Sequence, residues 1–136
     1  MFKSLTEKYR LSDPMTENIL PHDHGKIRVA DDFNRLLAEN KGFDNVAKVL
    51  SQMVDGTRIR IFWLLCHYEG CVTNISSIMG MSSPAVSHHL RSLKESGLIE
   101  SRRVGKEVYY RAVDSTEVRY LHHMIEDLME ITCPKA

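Results

Sequence analysis

The stretch MSSPAVSHHLRSLKESGLIE, residues 81–100, concentrates hydrogen-bonding side chains on one side of a short helix. Val86, Leu90 and Leu93 recur at i, i+4 and i+7, which predicts an inward apolar stripe. The opposite side carries hydroxyl, imidazole and guanidinium groups, which contact base edges and phosphates in a major groove. A solvated helix face is the alternative for each residue taken alone. The candidate DNA contacts are Ser83, Ser87, His88 and Arg91.

Turn signals precede this helix. Ser82 or Ser83 is suited to cap its start, and Pro84 suits a first turn in which no amide partner is needed. Just upstream, VTNISSIMG predicts another short helix that ends at Gly80. The residues between the two helices form a turn of the three-to-four-residue length found in helix-turn-helix motifs.

A β-hairpin is predicted directly after the helix ends at Gly97. LIESRR and EVYYRA indicate two short strands joined by VGK. The hairpin tip places Arg102, Arg103 and Lys106 where they can reach backbone phosphates, a sequence-independent and salt-sensitive contribution to binding. This order of elements predicts a helix-turn-helix followed by a wing.

The remaining patterns predict helices on both sides of this unit. Residues 1–28 show no sustained period, which indicates an arm, and residues 29–136 are expected to form one domain. VADDFNRLLAEN predicts a helix beginning near Val29, and FDNVAKVLSQMV and GTRIRIFWLLCHYEG predict two more. A last helix is expected from about Ser115 to Ile131. The predicted fold is mainly α with a small β-hairpin, a winged helix-turn-helix.

Charge is unevenly distributed along a chain of zero net charge. Residues 82–111 contain six Lys/Arg against three Asp/Glu, whereas residues 112–136 contain two against five. A locally basic segment is typical of a small nucleic-acid reader. No apolar run approaches the ~18 residues of a membrane span, and the N-terminus lacks the apolar centre of a signal peptide. We therefore expect a cytoplasmic protein without membrane attachment.

No catalytic constellation is present in the sequence. The histidine pairs at 88–89 and 122–123 are adjacent rather than spaced as H-E-x-x-H, and the glycines punctuate elements instead of forming a phosphate-binding loop. The chain is therefore not expected to be an enzyme.

Three cysteines are too few for a disulfide framework.

The segments DGTRIRIFWLL, CVTNISSIMGMSSPAVSHHLRSLKESGLIE and GKEVYYRAVD together resemble the ArsR/SmtB winged-helix repressors. Their pattern joins a D-P-T-R-like start, a Cys-Val pair, S-x-x-V-S-x-H-L-x-x-L and a G-K/R-x-V-Y-Y wing; Gly56 replaces the usual proline. The resemblance covers roughly residues 43–131. It implies a homodimer, formed through the first and last helices, that holds operator DNA on successive turns and releases it when an inducer binds.

The resemblance implies a first inducer site between the N-terminal arm and Cys71. The arm carries His22 and His24, and imidazole and thiolate are zinc ligands, so these three residues are candidate metal ligands. Thr73 and Asn74 stand where a further ligand is expected in the family. The alternative is a histidine-containing arm beside a core cysteine.

The resemblance implies a second site on the last helix. Asp114 and Glu130 match the family's ligands, whereas Thr116 and Asp127 replace histidines. His123, Asp127 and Glu130 share one face at i, i+4 and i+7, and Asp114 from across the dimer would complete the set. Zinc accepts these ligands, and so much oxygen also suits manganese or another divalent ion. The alternative is a polar rim on a dimer helix, its histidines satisfied by neighbours.

Two other hypotheses remain open beside a metal-released repressor. Cys66, Cys71 and Cys133 provide a thiol route for induction, although Cys66 follows IFWLL and is expected to be buried. A winged helix used only for protein interaction is the alternative without DNA. The hypothesis we favour is a repressor that releases its operator on binding zinc or another divalent transition metal.

Overall fold

The computed structural model describes residues 35–38 and 42–131 in full, and the backbone of two short strands at residues 17–18 and 29–30. The chain divides into two units, Met1–Asn45 and Val46–Ala136.

In the first unit, strand β1 (Glu17–Asn18) pairs antiparallel with strand β2 (Val29–Ala30). The predicted start of a helix near Val29 is therefore wrong, whereas residues 35–38 within the predicted helix are helical. Val29 is β-branched and favours extended backbone, and its strand partner lies too far away in sequence for helical periodicity to indicate the pairing.

The elements that follow have the predicted order, apart from one additional short strand. Helix α1 begins in the first unit and ends in the second. No helix among the described residues has the length and apolarity needed to span a membrane. The bounds are α1 (Gly42–Ser51), a 3₁₀ turn (Gln52–Val54), α2 (Gly56–His67), β3 (Gly70–Cys71), α3 (Val72–Met79), α4 (Ser83–Glu95), β4 (Ile99–Val104), β5 (Glu107–Ala112) and α5 (Thr116–Met129).

The wing is a three-stranded antiparallel sheet in the order β3-β5-β4. The predicted hairpin of β4 and β5 is confirmed, and β3 is the addition, with Gly70 opposite Tyr110 and Cys71 opposite Tyr109. Two residues are too few to show the alternation by which a strand is recognised in sequence. Because α3 begins directly after β3, this pairing ties the wing to the start of the helix-turn-helix.

Local hydrogen bonds fix the two helices of the helix-turn-helix. Gly80 ends α3 in the left-handed region at φ 64°, and the Met81 amide donates to the Ser76 carbonyl at 3.0 Å. The Ser82 hydroxyl accepts from the Ala85 amide at 3.3 Å, so Ser82 is the residue that caps α4. The predicted turn is confirmed.

The last helix is also capped but ends earlier than expected. Ser115 accepts from the Val118 amide at 3.2 Å at its start. At its end Glu130 adopts a left-handed φ of 56° and donates its amide to the carbonyls of Glu126 and Asp127, so Ile131 lies outside the helix.

Apolar side chains from every element between α2 and α5 except β3 and β5 form one core. The predicted stripe of α4 is entirely buried, and α5 buries Val118, Leu121 and Ile125 but leaves Leu128 exposed. The fully packed residues are Ile61, Phe62, Leu65, Ile75, Val86, Leu90, Leu93, Leu98, Ile99, Val118, Leu121 and Ile125.

Gly80→Ala should lower the free energy of unfolding by about 1–2 kcal/mol, because a side chain is strained in the left-handed region. A Cβ at this position meets nothing within 4 Å, so strain rather than a clash is the cause. Gly56→Ala, where a Cβ also meets nothing and φ is not positive, is the matched control and should not destabilise the protein. Urea unfolding measures both; equal effects would contradict the prediction.

Candidate DNA-reading face and metal centre

The outer face of α4 presents the predicted contacts to solvent. Ser83, His88 and Arg91 are exposed and Ser87 is half-buried. Within the described part of the chain, Arg91 forms no hydrogen bond or ion pair, so its guanidinium remains available to a base edge or phosphate. The Ser83 hydroxyl lies 3.3 Å from that of Ser76, which joins the first turn of α4 to α3.

His89, next to the reading face, connects α4 to the start of α2. Arg58 Nε donates to His89 Nδ1 at 3.4 Å and Arg58 Nη1 donates to Gln52 Oε1 at 3.1 Å. Asp55 caps α2 by accepting the Arg58 amide at 3.0 Å, a bond that lowers the pKa of its carboxyl. Burial lowers the pKa of His89 below 6.5; Asp55 opposes the shift, and Arg58 and His88 add to it. His89 therefore acts as a neutral acceptor.

Acidification should destabilise the fold through His89. A histidine whose pKa is lowered by folding binds protons more readily when unfolded, so its contribution to stability is complete above the unfolded pKa of 6.5 and is lost as the pH falls below it. We expect a larger drop in melting temperature between pH 7.5 and pH 5.5 for the native chain than for His89→Gln, whose side chain accepts but does not titrate. Equal drops would contradict this role.

The three predicted cations of the wing differ in the hydrogen bonds and ion pairs that they form with other residues. Arg102 pairs with Glu69, and its guanidinium lies 5.9 Å from the centre of the Tyr109 ring. Arg103 Nε donates to the Gly105 carbonyl at 3.2 Å. Lys106 lies in the turn, exposed, with no hydrogen bond or ion pair to other described residues. Of these three cations, Lys106 is thus the one that makes no hydrogen bond or ion pair with other described residues.

Lys106→Ala should weaken binding to any DNA sequence to the same extent and reduce the slope of log K against log salt by about 1, because a phosphate contact carries no sequence information. Arg102→Ala should reduce the slope less, since Glu69 already partly neutralises that charge. Titrations at several salt concentrations on operator and unrelated duplexes test this. A loss confined to the operator would contradict a phosphate role.

The residues of the two expected metal sites are not brought together in the described chain. His22 and His24 lie outside the described residues, and Cys71 is buried. Asp114 forms an ion pair with Arg119 at 2.6 Å. On α5 the other three candidates, His123, Asp127 and Glu130, are exposed. Both ligand sets remain predictions, the second because it requires a partner chain.

A different group of ligands converges between the end of α2 and the middle of α5. His67 Nε2 lies 3.0 Å from His122 Nε2, which lies 3.1 Å from Glu126 Oε1; His67 Nε2 is 4.0 Å from Glu126 Oε2. All three ligand atoms lie within 4.8 Å of one another. Among the residues that the structure describes, these are the three His, Cys, Asp or Glu side chains whose ligand atoms lie close enough together to share one metal ion.

The surroundings of this cluster are partly apolar. The side chains of His67, His122 and Glu126 are 21%, 17% and 8% exposed. Trp63 Nε1 donates to Glu126 Oε2 at 3.3 Å, and the Trp63 ring lies 4.7 Å from the His67 ring, centre to centre. Burial lowers the pKa of His67 below 6.5 and His122 lowers it further, while Glu126 opposes the shift. At neutral pH the His67 ring therefore offers a lone pair.

Sequence reasoning missed this cluster because its members come from two helices 55 residues apart. The spacing of His122 and Glu126, four residues apart on one helix, was the available signal. The neighbouring His123, with Asp127 and Glu130, gave a longer match to helical spacing, and nothing local indicates which face of α5 meets α2.

Comparisons with known proteins agree with the winged helix-turn-helix fold. Residues 55–101 match the family model described as bacterial regulatory protein, arsR family. The chain is 40% identical over 86 residues to a cadmium resistance transcriptional regulatory protein CadC homolog from Staphylococcus aureus, covering 62% of this chain and 69% of that one. The chain belongs to the ArsR family.

Two further comparisons extend this assignment. A transcriptional repressor SmtB homolog from Synechocystis is 34% identical over 85 residues, which are 62% of this chain and 64% of that protein, so under two thirds of that relative is matched. A homodimeric winged helix-turn-helix DNA-binding domain from Mycobacterium bovis, described as a possible ArsR-family regulator, superimposes with a TM-score of 0.60 at 32% identity, covering 68% of this chain and 87% of the other. This superposition confirms the predicted winged helix-turn-helix fold. The ArsR family, to which the chain belongs, comprises transcriptional regulators rather than enzymes.

Proposed function

We propose that this ArsR-family chain is a cytoplasmic repressor that binds operator DNA as a homodimer and releases it on binding zinc or a related divalent transition metal. The observation that carries the DNA-binding part is the outer face of α4. The turn at Gly80 and the cap at Ser82 hold this helix, its leucine stripe is buried, and Arg91 is exposed. The wing lies beside it with Lys106 at its tip. These are the parts of a major-groove reader with phosphate contacts on its flank.

A second copy of the chain is the partner that the last helix suits. Tyr120, Met124 and Leu128, spaced by four on α5, are 72%, 37% and 77% exposed. An apolar stripe of this kind on an outer helix is characteristic of an interaction surface. On α1, Val46 and Leu50 are also exposed. These observations and the homodimeric relative from Mycobacterium bovis support pairing through α1 and α5. The helix predicted to begin near Val29, the first in the sequence, is described only at residues 35–38.

A metal inducer is supported by the relatives and by the available ligands. One relative is named for cadmium resistance and another is a homolog of the repressor SmtB. His22, His24 and Cys71 form one proposed ligand set, and Asp114, His123, Asp127 and Glu130 form another across the dimer. Imidazole, thiolate and carboxylate all suit zinc.

Fluorescence anisotropy on the DNA upstream of the chain's own gene tests this function. Reduced, chelator-treated protein should bind this duplex at moderate salt more tightly than an unrelated duplex. Zinc at near-stoichiometric amounts should then release it. Tight binding that ignores zinc and other divalent ions but responds to an oxidant would replace the metal with a thiol inducer at Cys66, Cys71 or Cys133. No preference for any duplex, with an intact fold, would favour a protein-interaction module.

A further inference from the structure

We propose that His67, His122 and Glu126 form a divalent-metal site within one chain, which links the end of α2 to α5. The site is distinct from both ligand sets predicted from the sequence. It uses two imidazoles and one carboxylate, a set that suits zinc or cobalt and leaves a fourth position for water.

The distances are near those that such an ion requires. Ligand atoms about 2.0–2.2 Å from a tetrahedral zinc lie about 3.3–3.6 Å from one another. His67 Nε2 and His122 Nε2 lie 3.0 Å apart, His122 Nε2 lies 3.1 Å from Glu126 Oε1, and His67 Nε2 lies 4.0 Å from the other carboxylate oxygen, Oε2. With one oxygen of Glu126 taken as the ligand atom, all three ligand atoms lie within 4.8 Å of one another. Rotation of these side chains about their flexible torsions is needed to shorten the longest separation to this range.

The three side chains offer a cation more lone pairs than one shared proton engages. The Nε2 atoms of both histidines and a carboxylate oxygen of Glu126 face one another. A neutral imidazole carries one N–H, so a proton on one Nε2 forms one good hydrogen bond. A metal ion, by contrast, accepts a lone pair from all three ligand atoms. Metal binding therefore satisfies more of this cluster than proton sharing does.

Trp63 supplies an outer contact that orients the carboxylate. Its indole N–H donates to Glu126 Oε2, the oxygen on the His67 side of the cluster, and leaves Oε1 toward His122. Outer hydrogen bonds of this kind fix ligand orientation and contribute about 10- to 100-fold to metal affinity. The burial of Glu126 also keeps water from competing for the carboxylate.

The position of the site connects it to the DNA-reading parts. Two residues after His67, Glu69 forms the ion pair with Arg102 of the wing, and β3 begins at the next residue. His122 and Glu126 lie on one face of α5, and Leu128 lies on the opposite face of the same helix. A metal here fixes the wing's anchoring segment to the proposed dimer helix. This regulatory role rests on the proposed function, whereas metal binding does not.

Intrinsic fluorescence provides the first test, because Trp63 is the single tryptophan of the chain. Reduced, chelator-treated full-length protein is titrated with zinc and, separately, with cobalt. We expect a saturable change in emission at about one metal per chain, with stronger quenching by the paramagnetic cobalt. Metal binding detected by a competing chelator dye without any change in Trp63 emission would overturn the proposal, as would no binding at all.

Paired variants on adjacent residues locate the site. His122→Gln and His67→Gln should each weaken zinc binding by about 100-fold. Loss of a direct ligand should cost at least as much affinity as the about 10- to 100-fold that loss of an outer hydrogen-bond partner costs. His123→Gln, one residue away and exposed, should change it less than about 2-fold. Thermal melts confirm that each variant is folded, and the two independent ligand variants guard against a single folding failure. Loss in His123→Gln with retention in His122→Gln would overturn the assignment in favour of the exposed face.

Operator anisotropy separates this proposal from the proposed function. The native chain and His122→Gln should bind operator equally without metal, and only the native chain should release it at low zinc. If neither binds operator while zinc still binds through His122, the repressor function fails and the site stands. If both bind operator and both release it at the same zinc concentration, the repressor function stands and the regulatory role of the site fails.

Discussion

Arg91→Ala should weaken operator binding by about 1–3 kcal/mol, roughly a factor of 5 to 150, with little change in binding to unrelated DNA. The guanidinium is exposed on the outer face of α4 and forms no hydrogen bond or ion pair with other described residues. A bidentate pairing with a guanine in the major groove would therefore be lost without any internal contact being broken. Anisotropy titrations on operator and unrelated duplexes at one salt concentration give the specificity ratio.

Arg91→Lys is the matched control for this substitution. Lysine keeps the positive charge but lacks the planar pair of donors, so a bidentate base contact should be lost while a phosphate contact persists. We expect Arg91→Lys to resemble Arg91→Ala on the operator and the native chain on unrelated DNA. If lysine restores operator binding fully, Arg91 holds a phosphate and specificity lies elsewhere on α4. Unchanged operator affinity in both variants would contradict a DNA contact at this position.

The DNA-reading part of this fold could be predicted because its signals are local. Gly80 ends one helix, Ser82 caps the next, and the spacing of Val86, Leu90 and Leu93 identifies the buried face, all within 14 residues. A turn residue, a cap and a helical period each act over a few positions, so they are visible without knowledge of the packing.

The candidate metal cluster could not be predicted because it depends on packing between distant segments. His67 ends α2, and only the docking of α5 on the core places His122 and Glu126 against it. The strand β3 was missed for a related reason, since its two residues are recognisable only by their partners in β5. Ligand types at helical spacing indicated α5 as a candidate metal-binding helix but gave no means to choose between its faces.

Leu128→Glu should shift the protein from dimer to monomer and with it reduce operator affinity by at least about 100-fold. In a single chain Leu128 is 77% exposed, so a glutamate there does not disturb the core. In a dimer paired through α5, the same carboxylate would be buried without a partner, which costs several kcal/mol. Loss of pairing leaves each chain with one half-site instead of two, and the combined affinity of two linked half-sites is lost.

Ile78→Glu separates loss of pairing from a general effect of placing a charge at an exposed apolar residue. Ile78 is exposed on α3, which is not one of the proposed dimer helices. This variant should therefore keep the native mass in sedimentation equilibrium, whereas Leu128→Glu should not. Thermal melts at high dilution check that both variants retain the core. If Leu128→Glu remains a dimer, the exposed stripe of α5 serves another partner and the copies pair elsewhere. If it is monomeric yet binds operator as tightly as the native chain, one reading helix is sufficient and the dimer has no part in recognition.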